Sequence, residues 1–450
     1  MIRACAPRRG RCVLTLLAAI FMVAPQTTGS AQEAGIPAPA FCFAPGTDQS
    51  VVDATRERAL WTSDASSVSP ERFQKYEYTD GDRWRTTATD GSGLSQGDPT
   101  TLTWSIVPDG TSITPALGGE SAAGSSLRAF LNGIYPNEAA WVAEFQKVFD
   151  RWGALTGITY IYVEDDGAPL PTSPGQLGVR GDVRISGHGI DGNWGVLAYN
   201  YFPSTGDMVI DVPDSYYENT SSASIRLRNV VAHEHGHGLG LEHSCPINQT
   251  KLMEPFVTLA FDGPQHDDIL ATNRAYGDRY EHDDTAGSAA ALGEVTTITL
   301  RDLSIDDSGD ADYFSFTAAA GQTVSATLTP VGSTYLSGPQ NSNGSCSAGE
   351  SFDSLRIHDL SLQLLASNGS TVLEAADEHG VGVAEELVDV PLGGAPGTFY
   401  ARITGDATSL PQLYELTISF SGSQSQPPEG DVFTDGFESG NCSDWTEMTP

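Results

Sequence analysis

The segment Val231–Ser244 constrains this chain more than any other, and its sequence is VAHEHGHGLGLEHS. His233 and His237 are four residues apart, so on a helix they lie on one face, one turn apart, and can bind one metal ion together. Glu234 adjoins the first histidine and can reach an open coordination position without being a ligand. A helix with this pattern predicts a catalytic rather than a structural metal site.

The residues that follow complete the same site. Gly240 permits a sharp turn, because glycine adopts left-handed backbone angles without steric cost, and the turn returns His243 to the metal. Three imidazoles with a fourth position open to water are typical of catalytic zinc. Met253 follows ten residues after His243, and its thioether suits packing beneath the imidazoles rather than zinc binding. A chance H-E-x-x-H would not be expected to carry these further residues.

The extended motif H-E-x-x-H-x-x-G-x-x-H with its methionine turn resembles the metzincin metallopeptidases. Ser244 after the third histidine, and the segment Leu252-Met253-Glu254-Pro255, are most similar to the matrixin group. The resemblance covers roughly residues 97–280 and implies an α+β domain with a twisted mixed sheet and long helices. It also implies an endopeptidase acting on a protein or peptide substrate. One zinc would be held by His233, His237 and His243, and Glu234 would be the general base for a zinc-bound water.

The matrixin resemblance also implies a calcium site before the metal helix. Asp191 lies in an Asp-Gly-Asn loop, and Asp211 and Asp214 return from the next strand. Oxygen ligands in this mixture suit structural Ca²⁺, although the same residues are also common in turns and at strand ends. Tyr199 and Val209 stand where matrixins place histidines of a second, structural zinc, so one zinc is expected.

Three further segments place the site in its domain. Thr101–Val107 alternates apolar and polar residues, which predicts a half-buried strand. Asn137–Trp152 carries large apolar residues at three- and four-residue intervals, which predicts a helix with one buried stripe. Val196–Tyr199 is expected to be the sheet edge that faces the cleft and offers its backbone to an extended peptide.

The first 31 residues have the features of a secretory signal peptide, with four arginines, an apolar stretch at Val13–Ala24 and the small residues Gly29-Ser30-Ala31. Residues 32–96 are predicted to be an N-terminal extension or prosegment. No later apolar stretch reaches the length of a membrane span, so no membrane anchor is expected. The predicted location is therefore extracellular, with the periplasm as the alternative.

The chain is strongly acidic, with 58 acidic and 23 basic residues and a formal net charge of −35. Such a chain repels nucleic acid and anionic surfaces. No nucleic-acid partner is therefore expected, and the protein is predicted to be a monomer.

Four of the six cysteines lie beyond the predicted signal peptide, namely Cys42, Cys245, Cys346 and Cys442. An even number in an exported chain predicts two disulfides, with three possible pairings. Matrixins suggest another role for Cys42, because a prosegment cysteine often binds their zinc. Its Phe-Cys-Phe context lacks the Arg-Cys-Gly pattern of that switch, which favours a disulfide.

The C-terminal half differs in character. After a predicted linker at 281–293, short alternating runs at 314–317, 324–328, 355–357, 362–365, 399–403 and 413–420 predict an all-β sandwich over residues 294–422. Asp312–Phe316 and Gly397–Ile403 resemble the bacterial pre-peptidase C-terminal domain. Residues 423–450 form a predicted tail. These features leave a second hypothesis open, an exported matrix- or glycan-binding module whose metal site is only structural.

Overall fold

The computed structural model describes residues 38–60, 83–406 and 410–422. The predicted signal peptide, the predicted tail and Cys442 lie outside these residues, as do residues 32–37 and 61–82 of the predicted extension. Within the described ranges, none of the helices combines the length and the apolar character that crossing a membrane requires.

The described residues up to 280 combine helices with a mixed sheet. The helices are α1 (Gln49–Arg58), α2 (Leu127–Ile134), α3 (Glu138–Leu155), α4 (Ser221–Gly238) and α5 (His266–Tyr276). The strands are β1 (Ala40–Phe43), β2 (Thr86–Thr87), β3 (Gly91–Ser92), β4 (Thr100–Ile106), β5 (Ile158–Tyr162), β6 (Val183–His188), β7 (Val196–Asn200), β8 (Met208–Asp211) and β9 (Ser244–Cys245).

Six of these strands form one sheet in the order β1–β7–β8–β6–β4–β5. Strand β4 runs parallel to β5 and β6, and β6 runs parallel to β8. Strand β7 runs antiparallel to β8, and β1 runs antiparallel to β7. The predicted combination of a mixed sheet with long helices is therefore observed.

Helix α3 begins and packs as its sequence predicts. The Asn137 side chain accepts a hydrogen bond of 3.0 Å from an N–H of the first turn, which caps the helix. The predicted apolar stripe is buried, and its members are Trp141, Phe145, Val148, Phe149 and Trp152. Phe149 stacks on Trp104 of β4 with ring centroids 4.4 Å apart, and Trp152 donates to the Ala232 carbonyl of α4 at 3.3 Å. Helix α3 thus fixes the helix that carries the metal motif.

Strand β4 is buried almost throughout, so the prediction of a half-buried strand is wrong. Its polar face does not meet water, because Ser105 donates to Asp165 at 2.7 Å and Asp165 pairs with Arg184 at 2.8 Å. The side chains of Asp165 and Arg184 are both fully buried. Parallel strands are usually covered on both faces. Here the polar face of β4 is covered by the Asp165–Arg184 ion pair and the loop that contains Asp165.

The described residues from 290 to 422 are β-rich. The strands are β10 (Ala290–Glu294), β11 (Thr297–Ile305), β12 (Ala311–Ala318), β13 (Thr323–Pro330), β14 (Thr334–Pro339), β15 (Glu350–Asp353), β16 (Ser361–Leu365), β17 (Val372–Ala376), β18 (Glu385–Pro391), β19 (Gly397–Thr404) and β20 (Gln412–Ser421). One sheet has the order β10–β12–β19–β16–β17 and another the order β11–β20–β13–β18. Both contribute to one buried apolar cluster.

Most of the predicted strands in this region are present, and β10 begins inside the segment predicted as a linker. The predicted strand at 355–357 is wrong. The Ile357 N–H donates to the Gln412 side chain at 2.9 Å. The backbone of Ile357 therefore bonds to a side chain and not to the backbone of a neighbouring strand.

A small sheet of order β15–β14–β9 joins the β-rich region to the first part of the chain. Strand β14 pairs antiparallel with β9, which puts Gly338 opposite Cys245 and Pro339 opposite Ser244. A disulfide links Cys245 to Cys346 beside this pairing. One of the pairings left open by the sequence is therefore identified.

A second contact between the two parts is strongly acidic. It contains Asp278, Glu281, Asp283, Asp306, Asp310 and Asp312, and in two groups of three, which share Glu281, the carboxylate oxygens lie within 4.8 Å of one another. Burial, and then repulsion by the other carboxylates, raises the pKa of Glu281 to about 11 and the pKa of Asp283 and Asp306 to about 9. Carboxylates packed in this way are neutralised either by protons or by a cation.

Candidate metal centre and substrate cleft

The Nε2 atoms of His233, His237 and His243 converge on one point. The distance from His237 to His233 is 3.1 Å, and His243 lies 3.2 Å from each of the other two. Nitrogens bound to one tetrahedral zinc at about 2.0–2.1 Å lie about 3.3 Å apart. The structure thus brings the three predicted ligands together at a spacing that fits zinc.

The first two ligands are oriented by backbone carbonyls near the helix. His233 donates its Nδ1–H to the Leu252 carbonyl at 2.8 Å, and His237 donates to the Leu241 carbonyl at 2.7 Å. Each bond fixes the tautomer that leaves the Nε2 lone pair free for a metal. Burial lowers the pKa of His233 to about 3, which favours the neutral form that a ligand requires.

The third ligand is oriented differently. His243 Nδ1 lies 2.9 Å from the side-chain oxygen of Gln340, which follows β14 in the β-rich region. Burial lowers the pKa of His243 to about 4. Gln340 is a site residue that no sequence motif predicts. The only signal for its position was the Cys245–Cys346 pairing, one of several that the cysteine count allowed.

Helix α4 ends at Gly238, two residues before Gly240, where the sequence predicts a sharp turn. Two side chains bind the last carbonyls that the helix leaves unpaired, since Trp84 donates to the Gly238 carbonyl at 2.7 Å and Tyr276 to the Leu239 carbonyl at 2.9 Å. Gly240 then has a φ of 105°. The glycine therefore makes the predicted turn toward the third histidine.

Met253 is fully buried against α4. A Cβ atom at Gly236 would overlap its sulfur, so glycine at that position allows the close approach. Asp268 of α5 accepts hydrogen bonds from the N–H groups of Met253 and Leu252, at 3.1 Å and 2.9 Å. Met253 thus lies beneath the motif as expected. Asp268, in the first turn of α5, holds the backbone of the methionine turn in place.

Glu234 follows His233 in helix α4 and is completely buried. Neither of its carboxylate oxygens makes a hydrogen bond of normal geometry within the described residues. Burial raises the pKa of Glu234 to about 8, and the adjacent Cys42 thiol and N–H moderate the rise. His235, between Glu234 and the second ligand, points away from the site and lies 2.8 Å from the Tyr160 hydroxyl.

Strand β1 covers the edge of the sheet at the cleft, so the prediction that residues 196–199 are a free edge is wrong. Backbone pairing extends along β1 on one side. On the other side, the Phe43 N–H donates to the Pro255 carbonyl at 3.1 Å and the Val257 N–H donates to the Phe43 carbonyl at 3.0 Å. An extended segment of the chain itself is therefore held between β7 and the loop after the methionine turn.

Cys42 is a free, fully buried thiol, so the predicted disulfide at this residue is wrong. It lies opposite Ala198 in the sheet, while Cys245 is bonded to Cys346. The thiol lies beside Glu234, and burial raises the pKa of Cys42 well above its usual range. It is not among the ligand atoms of the three-histidine group. The arrangement therefore differs from a cysteine bound at the metal position.

The three aspartates of the predicted calcium site surround one loop. They accept hydrogen bonds of 2.7–3.2 Å from its backbone, and the donors are Ile190, Gly192, Trp194 and Val196. Burial, with the charge of Asp211 nearby, raises the pKa of Asp191 to about 7. The described groups with three ligand atoms within 4.8 Å of one another do not include Asp191, Asp211 and Asp214 together. In this geometry their observed role is to hold the loop.

An open cavity of about 510 Å³ lies beside the metal ligands. Phe41 and Phe43 of β1 line one side, and His237, His243 and Gln340 line the other. The cleft is therefore bounded both by the N-terminal segment and by a loop of the β-rich region.

The segment that contains the metal ligands is similar to known proteins. Residues 134–277 match the family model described as Matrixin. The hatching enzyme of Paracentrotus lividus is 33% identical over 115 residues, which are 25% of this chain and 18% of that protein. Bovine interstitial collagenase is 34% identical over 136 residues, 29% of this chain and 27% of the collagenase. Human matrix metalloproteinase-26 is 27% identical over 188 residues, 39% of this chain and 67% of that protein.

The chain thus spans less than a third of the length of the first curated relatives it matches. Among solved structures, the pre-peptidase C-terminal domain of a Bacillus anthracis collagenase aligns with 30% of this chain and 94% of that domain. The identity is 13% and the TM-score is 0.18, which is too low to support a conclusion about the fold.

Proposed function

Because residues 134–277 constitute a matrixin-like domain, we propose that this protein is a secreted zinc-dependent endopeptidase that hydrolyses peptide bonds within proteins. The observation that carries the proposal is the convergence of the Nε2 atoms of His233, His237 and His243 at the end of the helix that carries the buried carboxylate of Glu234. Secretion is inferred from the signal-like sequence of residues 1–31.

His233, His237 and His243 would hold the zinc, which when bound polarises a carbonyl and lowers the pKa of water. Glu234 accepts the proton of the attacking water and passes it to the leaving amine. Burial raises the pKa of Glu234 without metal, and a zinc ion beside it would favour the carboxylate form that accepts the proton. Strand β7 would offer its backbone to an extended peptide once β1 has left it.

We further propose that the chain as described is a latent form. Strand β1 uses the backbone positions of β7 that an extended substrate would pair with. Cys42 also lies beside Glu234, where a reacting peptide would approach. Displacement or removal of residues 40–43 would therefore open the cleft to a protein substrate.

The calcium site stays a proposal. Asp191, Asp211 and Asp214 are drawn around one loop, and the raised pKa of Asp191 shows that its negative charge is poorly compensated there. A Ca²⁺ ion bound to these side chains would relieve the repulsion between Asp191 and Asp211.

Replacing Glu234 with glutamine tests the mechanism. The variant should keep its zinc, because Glu234 is not a ligand. With β1 removed in both proteins, its turnover of casein should fall below that of the parent by about two to four orders of magnitude through loss of the general base. Glu242→Gln is the matched control, since Glu242 lines the same cleft outside the catalytic role. Near-normal cleavage by Glu234→Gln would contradict the mechanism. A zinc-loaded wild type with an opened cleft that binds matrix polymers without cleaving proteins would favour the binding-module hypothesis.

A further inference from the structure

We propose that Gln340, supplied by the β-rich region, is a positioning residue for the metal centre. Its side-chain oxygen accepts the Nδ1–H of His243 at 2.9 Å, which aims Nε2 at the other two ligands. The β-rich region would then be part of the metal site rather than a separate binding module. This inference rests on the zinc site of the proposed function.

The three ligands differ in what holds them. His233 and His237 lie on α4, and their Nδ1 atoms are bonded to backbone carbonyls at Leu252 and Leu241. His243 lies beyond the end of the helix, on the turn before β9. No helix fixes its ring, and its Nδ1 partner is a side chain 97 residues away in sequence. The third ligand therefore depends most on contacts from outside its own segment.

Gln340 is itself held in place. Its Nε2 donates to the Gly344 carbonyl at 2.9 Å, and this bond leaves the side-chain oxygen directed at His243. Gln340 also forms an isolated backbone bridge with Cys346, whose sulfur is bonded to Cys245. The residue thus sits between a strand pairing and a disulfide that both join its loop to the segment just after His243.

The chemistry of the contact predicts its consequence. A hydrogen-bond acceptor on the outer nitrogen of a ligating histidine fixes the tautomer and ring orientation and raises the basicity of the inner nitrogen. Loss of such a partner typically weakens metal binding by about 10–100-fold. A carboxylate in the same place is a stronger acceptor, because a charge-assisted hydrogen bond is about twice as strong as a neutral one.

The test compares zinc affinity in the full chain, measured by competition with a chromophoric chelator. Gln340→Ala should bind zinc about 10–100-fold more weakly. Gln340→Glu keeps an acceptor for His243 but loses the donor to the Gly344 carbonyl, so it should bind zinc more tightly than Gln340→Ala. Asn341→Ala is the control, because Asn341 is the next residue in the loop and bonds Ser345 rather than the histidine. It should leave zinc affinity unchanged.

The melting temperature of each metal-free variant shows whether the loop has kept its fold. Both variants lose the bond to the Gly344 carbonyl, so tighter zinc binding by Gln340→Glu than by Gln340→Ala would come from the acceptor that glutamate keeps for His243. Unchanged zinc affinity in Gln340→Ala, or equal weakening by alanine, glutamate and the Asn341 control, would overturn the inference. Zinc binding is measured without peptide. A zinc-loaded chain with β1 released that still lacks endopeptidase activity would refute the proposed function and leave this result standing.

Discussion

Replacing Phe43 with alanine should release β1 from the cleft and activate the unprocessed chain. Phe43 is only 4% exposed, and its ring lies 5.9 Å from that of Phe256 between centroids. Truncating a buried phenylalanine costs about 3–5 kcal/mol. The loss applies only while β1 is docked, because the side chain meets water once the strand has left. Taking about 3 kcal/mol, the ratio of open to covered molecules rises by roughly 100-fold, at about 1.4 kcal/mol per factor of ten.

The assay is the initial rate at which the zinc-loaded full chain cleaves an internally quenched peptide. The Phe43→Ala rate should exceed the wild-type rate by up to about 100-fold, limited by the point at which most molecules are open. Phe316→Ala is the control, because Phe316 is equally buried, at 1% exposure, in the cluster of the β-rich region. It should lower the melting temperature without raising the rate. A folded Phe43→Ala protein that is no faster than the wild type would show that β1 does not limit access.

The remaining predictions concern ions and protons. Calcium should raise the melting temperature of zinc-loaded protein by mass action, while magnesium does so poorly. Asp211→Asn should reduce this rise in melting temperature without loss of zinc. A wild-type melting temperature that does not change with calcium would show that the three aspartates only hold the loop. In excess chelator, the acidic cluster should make the protein more stable as pH falls from 9 to 7, because a raised carboxyl pKa means that the folded state binds protons more tightly than the unfolded chain. The expected gain is about 1.4 kcal/mol per pH unit for each proton taken up. The double variant Asp283→Asn/Asp306→Asn should flatten the profile, and a wild-type profile that is already flat would contradict the shifts.

The local parts of the site were predictable from the sequence. The spacing of His233 and His237 depends only on the helical repeat, and the turn to His243 depends on Gly240, so a short segment determines both. The stripe of α3 was predictable for the same reason, because one periodic helix face must be buried. The position of Met253 beneath the histidines was predictable from its short separation from them along the chain.

The parts of the site that arise from distant segments were not predictable. Strand β1 reaches the cleft by pairing with β7, more than 150 residues later in the chain. The sequence of β1 contains no signal for the sheet edge with which it pairs. Cys42 was assigned to a disulfide on a cysteine count, and a count carries no information about distance between side chains. Gln340 has no motif, since a single glutamine becomes a partner of His243 only through the pairing of β14 with β9.

The Cys245–Cys346 bridge also determines what a break in the chain can do. A peptide bond cut anywhere between these two cysteines, including the acidic stretch after α5, would leave both fragments covalently attached. Under the proposed endopeptidase activity, one copy could thus nick another without release of the fragment that contains Gln340. Such nicked molecules would run as one band in electrophoresis without reductant and as two bands after reduction.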